Sequence, residues 1–508
     1  MIRVQKLLNK WSTQASWGRY LVSPILLILF INHGFNPIPI IARATDSKKP
    51  ETTQVDLLQK SISTELIYLP VIYSKKPQLP RVNAPYTNGQ IRSAETAITW
   101  FGLVTPDENY ADVRVGYNAE ELWVNVTVID RFLWYDPNPA LDNLTDWDAV
   151  SLYLDLTNGT GENSVEDAYR FDAQLNWWEP RENFQAVFQG SGNIWNKISI
   201  PFSTISGWRG NAPNDDHGDQ GWSITYKIPF TSLGLSNPPP QGTVWRMSIR
   251  LYDRDDSIGS PIPVKTWPSA IMAPGKPDTW GELAFGLPFY TPPIGATPGH
   301  TVTIRHKLNG AEVIDGMVGG GTECGKGIEN SSWKEWGQLN YAGAEQVNVQ
   351  NERDVSDWVC FSKFYITFPL ADIPPGKVII SAELILHSIG NAGGGEWGDP
   401  PNSLIQVLMV NDDWNESIIN WNNAPPAMEN VSQAWVEPIV DWPGSPGVPR
   451  TWDLSYGVNK AYQAVEPLRL VLYSADSDYH TGRYFAASET GDYIAEGRPT
   501  LNVNWSDP

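Results

Sequence analysis

The chain has 508 residues, with 36 Lys and Arg against 57 Asp and Glu, for a formal net charge of −21. That length exceeds one ordinary hydrophobic core and predicts two domains. The acidic balance excludes a nucleic-acid partner, because nothing would neutralise phosphates, and it disfavours anionic lipid while suiting an extracellular setting or a divalent cation.

The first 44 residues are read as export signal rather than fold. Arg3, Lys6, Lys10 and Arg19 make a positive segment, 21–31 is a short apolar run, and Ala42-Arg43-Ala44 has the small-residue spacing of a cleavage site. An uncleaved anchor is the competing reading, although the run is shorter than the roughly 18 residues of a spanning helix and Pro24 interrupts it. Residues 45–88 read as a polar linker.

From residue 89 to 287 the apolar period is two. Val113, Val115 and Tyr117 alternate with polar residues, and Leu122, Val124, Val126 and Val128 alternate again after Asn118-Ala119-Glu120-Glu121, which predicts a hairpin. Val150, Leu152 and Leu154, then Trp222, Ile224 and Tyr226, then Trp245, Met247 and Ile249 continue the pattern. Residues 288–299 are a Pro/Gly-rich connector. Residues 300–508 alternate too, as at Ala382, Leu384 and Leu386, or Leu468, Leu470 and Leu472. The expected fold is all-β: two β-sandwich, jelly-roll-like domains in tandem after a signal peptide and linker. The stretch 319–357 is Gly- and Asn-rich and predicts a long loop, with one disulfide between Cys324 and Cys360 if the protein is exported.

The chain has 24 Trp and 20 Tyr. Such rings fill sandwich cores and also stack on the apolar faces of sugars, and the first use is the commoner one.

Ordered motifs make the first half specific. Ala111–Val115 with Glu121–Val124, Val128-Ile129-Asp130, Asp148–Asp155, Tyr169–Phe171, Tyr226–Phe230 and Trp280–Leu283 together resemble the family 9 carbohydrate-binding modules, which often accompany xylanases. The resemblance implies a sugar terminus gripped between two tryptophans. Thr145 stands where the first clamp indole is expected, and Ser269 to Thr279 contains no Trp for the second. The candidate sugar-contacting rings are therefore Trp147, Trp177, Trp178, Trp267 and Trp280.

In the second half, Phe368–Pro375, Ile379–Leu386, Asp413–Pro425, Trp452-Asp453-Leu454, Phe485–Glu489 and Arg498–Leu501 resemble the DNRLRE-type domain, also described as family 96 of the carbohydrate-binding modules. That resemblance implies an accessory module of a secreted or surface protein, and some such modules bind acidic polysaccharide. Trp414 and Trp421 of the longest motif read as loop residues that pack on the core.

No nucleophile elbow, zinc-protease motif or phosphate loop occurs in the sequence. Asp253, Asp255 and Asp256 form a loop cluster of oxygen ligands, and structural calcium is the one metal they would suit. The expected function is polysaccharide binding outside the cell or at its surface, as a non-catalytic accessory to polysaccharide breakdown. Polysaccharide is the expected partner, nucleic acid is not, and a membrane enters only through an uncleaved signal anchor. Two alternatives stand: a glycoside-degrading enzyme whose acid pair is unrecognised, and a structural or adhesive surface protein without sugar binding.

Overall fold

Period-two alternation becomes strand pairing through both halves. The structure, a computed structural model, describes residues 78–508 apart from 158–164, 177, 270–271, 322–323, 325–327, 395–397, 399 and 442. The expected signal peptide 1–44 and residues 45–77 of the expected linker lie outside the described residues, as does Trp177.

The predicted hairpin forms between Glu108–Tyr117 and Glu121–Ile129, with Tyr117 opposite Leu122. Its turn is tied by Asn118, whose Oδ1 accepts from the backbone N–H of Glu120 and Glu121 at 2.8 and 2.9 Å, the local bond that makes Asn a turn residue. These two strands belong to a five-stranded sheet with Ala97–Thr105, Gly221–Pro229 and Ser203–Arg209. Its inward residues, such as Val113, Val124 and Ile224, share a core with Val150, Leu152 and Ile249 of an opposing sheet. That is the first sandwich.

In the second sandwich, a six-stranded sheet built around Val378–Asn391 and Thr500–Ser506 meets Phe364, Val407 and Leu470 of its own opposing sheet. The two opposing sheets are halves of a single thirteen-stranded sheet among the described residues. The join is the strand Arg81–Ala84. It runs parallel to Gly281–Phe285 of the first sandwich, with Val82 opposite Leu283, and beside Glu429–Val436 of the second, with Arg81 opposite Glu429. This corrects the linker reading for its last residues: Val82 and Ala84 are buried in the first core, and their backbone completes the ladder. Residues 288–299 carry no strand or helix.

A third apolar cluster lies between the sandwiches. Ile98, Trp100, Tyr110 and Ile129 come from the first, and Trp333, Trp336, Trp358, Trp421 and Tyr473 from the second. The Gly-rich stretch is thus more than a loop. It contains the helical turns Ser332–Glu335 and Trp336–Gln338 and the strand Gln346–Val349. Its Trp336 ring meets Trp358 edge-on and Trp421 at a tilt, at centroid distances of 5.0 and 4.8 Å. Cys324 and Cys360 are disulfide-bonded at the edge of this cluster. The described residues of 78–508 accordingly fold as one unit. Among the described residues no helix is long and apolar enough to cross a membrane.

Candidate functional site

The outer face of the five-stranded sheet presents Trp123, Asn125 and Thr127 on one strand, opposite Lys227, Thr225 and Ser223 on the next. The second sandwich covers one side of this face. Thr127 Oγ1 donates to the Arg353 carbonyl at 3.3 Å, and Arg114 Nε donates to the Ala475 carbonyl at 3.4 Å. What stays open is a groove of about 710 Å³, lined by Gln90, Glu121, Ile205, Thr225, Lys227 and Arg353 among others. An Arg209–Asp354 ion pair ties the two sandwiches at this groove. Amides, hydroxyls and long charged side chains around an open trough supply hydrogen bonds for a polar, extended ligand.

The candidate tryptophans separate by burial. Trp280 is 0 % exposed: its indole N–H donates to the Ala273 carbonyl at 2.8 Å, and its ring packs on Tyr153. Trp267 is 2 % exposed and fills the space beside Gly281, where an added Cβ would lie 2.4 Å from the indole. Both are core residues, which corrects their reading as sugar contacts: neither offers a ring face to a ligand. Trp147 is half-buried, with its ring over Gly259. Trp178 is 53 % exposed and held edge-on by Tyr135 and Trp208, at 5.9 and 6.5 Å between centroids. Of the described candidates, Trp178 presents the most ring to solvent. Trp421 is buried between the sandwiches, packed on Tyr110 at 5.0 Å.

The acidic loop is also reorganised. Asp253 is buried with Asp130 and Asp148, and one carboxylate oxygen from each lies within 4.8 Å of the others. Each stands at the end of a strand: Asp130 after Glu121–Ile129, Asp148 before Ala149–Asp155, and Asp253 after Val244–Tyr252. Strand ends at one edge of a sandwich converge, so residues far apart in sequence meet there. Asp130 accepts from the Trp222 indole at 3.2 Å, and Asp148 from the backbone N–H of Trp134 and Arg254 at 2.8 and 2.9 Å. Asp253 Oδ1 is buried without a hydrogen-bond partner among the described residues.

Burial, then the neighbouring carboxylates, hold Asp130 and Asp148 well above the usual carboxylate range, and burial pushes Asp253 up to about 6. Asp255, half-buried at the rim, is pushed up to about 7 by burial and by Asp253. Asp256 serves the turn instead, accepting from the backbone N–H of Ile258 and Ser260 at 3.0 Å each. The three expected ligands therefore split: Asp253 is in the cluster, Asp255 faces it, and Asp256 is committed to its loop. A buried oxygen-only set with one orphaned carboxylate oxygen fits a hard divalent cation such as calcium. Asp130 and Asp148 were not among the expected ligands. Their signal was positional, an Asp at each of three strand ends.

Residues 333–493 match the model of carbohydrate-binding module family 96, in agreement with the resemblance read from the second half. No curated protein matches the chain. Solved structures similar to it at low identity include two family 9 modules. A family 9 carbohydrate-binding module from Caldicellulosiruptor kristjanssonii in complex with cellotriose is 18 % identical, over 41 % of this chain and 93 % of its own, with a TM-score of 0.29. A family 9 module from the same organism in complex with glucose is 17 % identical, over 42 % of this chain and 100 % of its own, with a TM-score of 0.28.

Proposed function

We propose that the protein binds polysaccharide outside the cell, as an accessory to polysaccharide breakdown that does not itself cut the chain. The observation that carries this reading is the match of residues 333–493 to a carbohydrate-binding module family. The open polar groove between the sandwiches supports it, because a polymer can lie along a trough without a closed pocket for one residue. The exposed ring of Trp178 supports it as a stacking surface. Secretion follows from the N-terminal charge and apolar pattern of residues 1–44.

Calcium is proposed as a structural ion held by Asp130, Asp148 and Asp253. Bound there, it would offset the charge of three buried carboxylates and fix the strand ends that carry them. These carboxylates are buried, out of reach of a polymer, which favours a structural over a hydrolytic role for this group.

A glycan array probed with the protein, in calcium and in chelator, tests the reading. Binding to at least one polysaccharide is expected. An array blank for every glycan under both conditions would remove carbohydrate binding and leave the structural or adhesive alternative.

A further inference from the structure

A second cavity of about 500 Å³ opens where the docked faces of the two sandwiches end. Tyr86, Gln90, Arg92 and Glu95 line it from the first sandwich, and Gln433 and Trp435 from the second. Gln433 and Trp435 are two apart on the strand Glu429–Val436, so both side chains leave the same face. Opposite them on Ser403–Met409 stand Gln406 and Leu404. Gln406 is fully covered: it donates to the Thr96 carbonyl at 2.7 Å and accepts from the Ile98 N–H at 3.2 Å. This face is therefore the docking face of the second sandwich, and Trp435, 46 % exposed, lies just past the docked area.

Tyr86 is 50 % exposed on the other wall. Its backbone is fixed to Tyr117 by bonds from Thr87 N–H to the Tyr117 carbonyl, at 2.9 Å, and from Tyr117 N–H to the Pro85 carbonyl, at 3.2 Å. Its ring meets that of Tyr117 edge-on at 5.4 Å. The platform is thus rigid before any ligand arrives, which lowers the entropy lost on binding. Gln433 Oε1 is buried and lacks a hydrogen-bond partner among the described residues, an acceptor in want of a hydroxyl. Arg92 and Glu95 pair with each other, so the charges lining the cavity cancel. Gln90 lines both this cavity and the larger groove, so the two adjoin at that residue.

We infer that Tyr86 and Trp435 form a two-ring stacking site for a linear, neutral polysaccharide whose chain runs on past Gln90 into the larger groove. Two exposed aromatic faces suit the apolar faces of pyranose rings, an amide acceptor suits their hydroxyls, and a self-neutralised wall does not select uronates. The inference rests on the carbohydrate-binding reading above and adds its location and ligand class.

Affinity electrophoresis of the protein in gels carrying soluble β-glucan, xylan, galactomannan, alginate or polygalacturonate tests it. The variants are Tyr86→Ala, Trp435→Ala and Trp435→Phe, with Ile418→Ala as an exposed control and thermal melts to confirm folding. Retardation by at least one neutral polymer is expected, weakened roughly ten-fold in each aromatic-to-Ala variant and close to wild type in Trp435→Phe and Ile418→Ala. Wild-type retardation that survives both Ala variants, or is lost equally in Trp435→Phe, overturns the stacking site and leaves carbohydrate binding standing. Retardation by the uronate polymers alone overturns the neutral class. Retardation by none of the five overturns the inference together with the reading beneath it.

Discussion

Asn83 and Asn430 complete each other's backbone across the two sandwiches. Asn83 Nδ2 donates to the Asn430 carbonyl at 2.7 Å, and Asn430 Nδ2 donates to the Asn83 carbonyl at 2.9 Å. Asn430 Oδ1 also accepts from the Asn83 N–H at 2.7 Å. Only Arg81 stands in ladder register with this neighbouring strand, so the amides supply the bonds that the ladder does not. Arg81 adds ion pairs to Glu282 on one side and Glu429 on the other.

Removal of this strand should therefore be felt in both sandwiches. A chain of residues 89–508 is expected to be less stable than one of residues 78–508 by on the order of 5 kcal/mol, from lost Val82 burial and several buried hydrogen bonds. Chemical denaturation of the two chains measures the difference. Equal midpoints would show that the strand is dispensable.

Lys363 makes the second tie. It is buried, its Nζ donates to Tyr110 Oη at 2.7 Å, and it lies 3.6 Å from the Trp421 ring centroid and 4.1 Å from that of Trp100. Burial pushes the ammonium below the usual lysine range, while Asp112 opposes that shift, as the ring faces do by cation–π attraction. Lys363→Ala leaves a cavity among these rings and is expected to cost about 2–4 kcal/mol. Lys363→Met fills the same space without a charge to desolvate and should recover most of that loss. Equilibrium unfolding of both variants separates packing from charge. A Met variant as weak as the Ala variant would mean that the charge itself holds the interface.

Glu352 and Asp357 predict a pH dependence. Burial first, and then Asp357, hold the Glu352 carboxyl far above its ordinary range, with Asp354 adding to the shift and Arg209 opposing it. The folded chain keeps a proton here that the unfolded chain releases above about pH 4.5, so this group's contribution is fully present below that pH and is lost as pH rises. Glu352→Gln stays neutral throughout and offers an N–H to Asp357. The melting temperature of the variant minus that of wild type is expected to grow between pH 5 and pH 9, by a few degrees. A difference that is flat with pH would contradict the proton held on buried Glu352.

Calcium should act on the strand-end cluster with a sign that depends on its presence. Millimolar calcium is expected to raise the wild-type melting temperature by about 2 °C or more and to leave Asp253→Asn unmoved. In chelator the order reverses: Asp253→Asn, which relieves repulsion among three buried carboxylates, should melt no lower than wild type. A calcium response retained by the variant would place the ion elsewhere.

Alternation made the sheets legible, because strands with one apolar core face write their period into the sequence, as in Leu122, Val124, Val126 and Val128. The docking of the two sandwiches was hidden. Arg81–Ala84 is too short to show a period amid polar neighbours, and Trp333 and Trp336 sit in helical turns within a Gly-rich stretch. The family 9 resemblance marked Trp267 and Trp280 as ring candidates, but a motif match says nothing about which side of a strand meets water. Trp435 was not singled out, because its strand has an outer face that is half docked and half open, a division that spacing along the chain does not record. Asp130 and Asp148 came to Asp253 through the convergence of strand ends, a relation in space with no counterpart in spacing along the chain.

The most direct test of carbohydrate binding without cleavage is co-sedimentation with a panel of insoluble polysaccharides, with reducing ends measured in the same supernatants. Depletion of the protein by at least one polymer, with no new reducing ends, is the expected result. A protein that stays in solution with every polymer would contradict binding, and reducing ends released in proportion to protein would contradict a non-catalytic role.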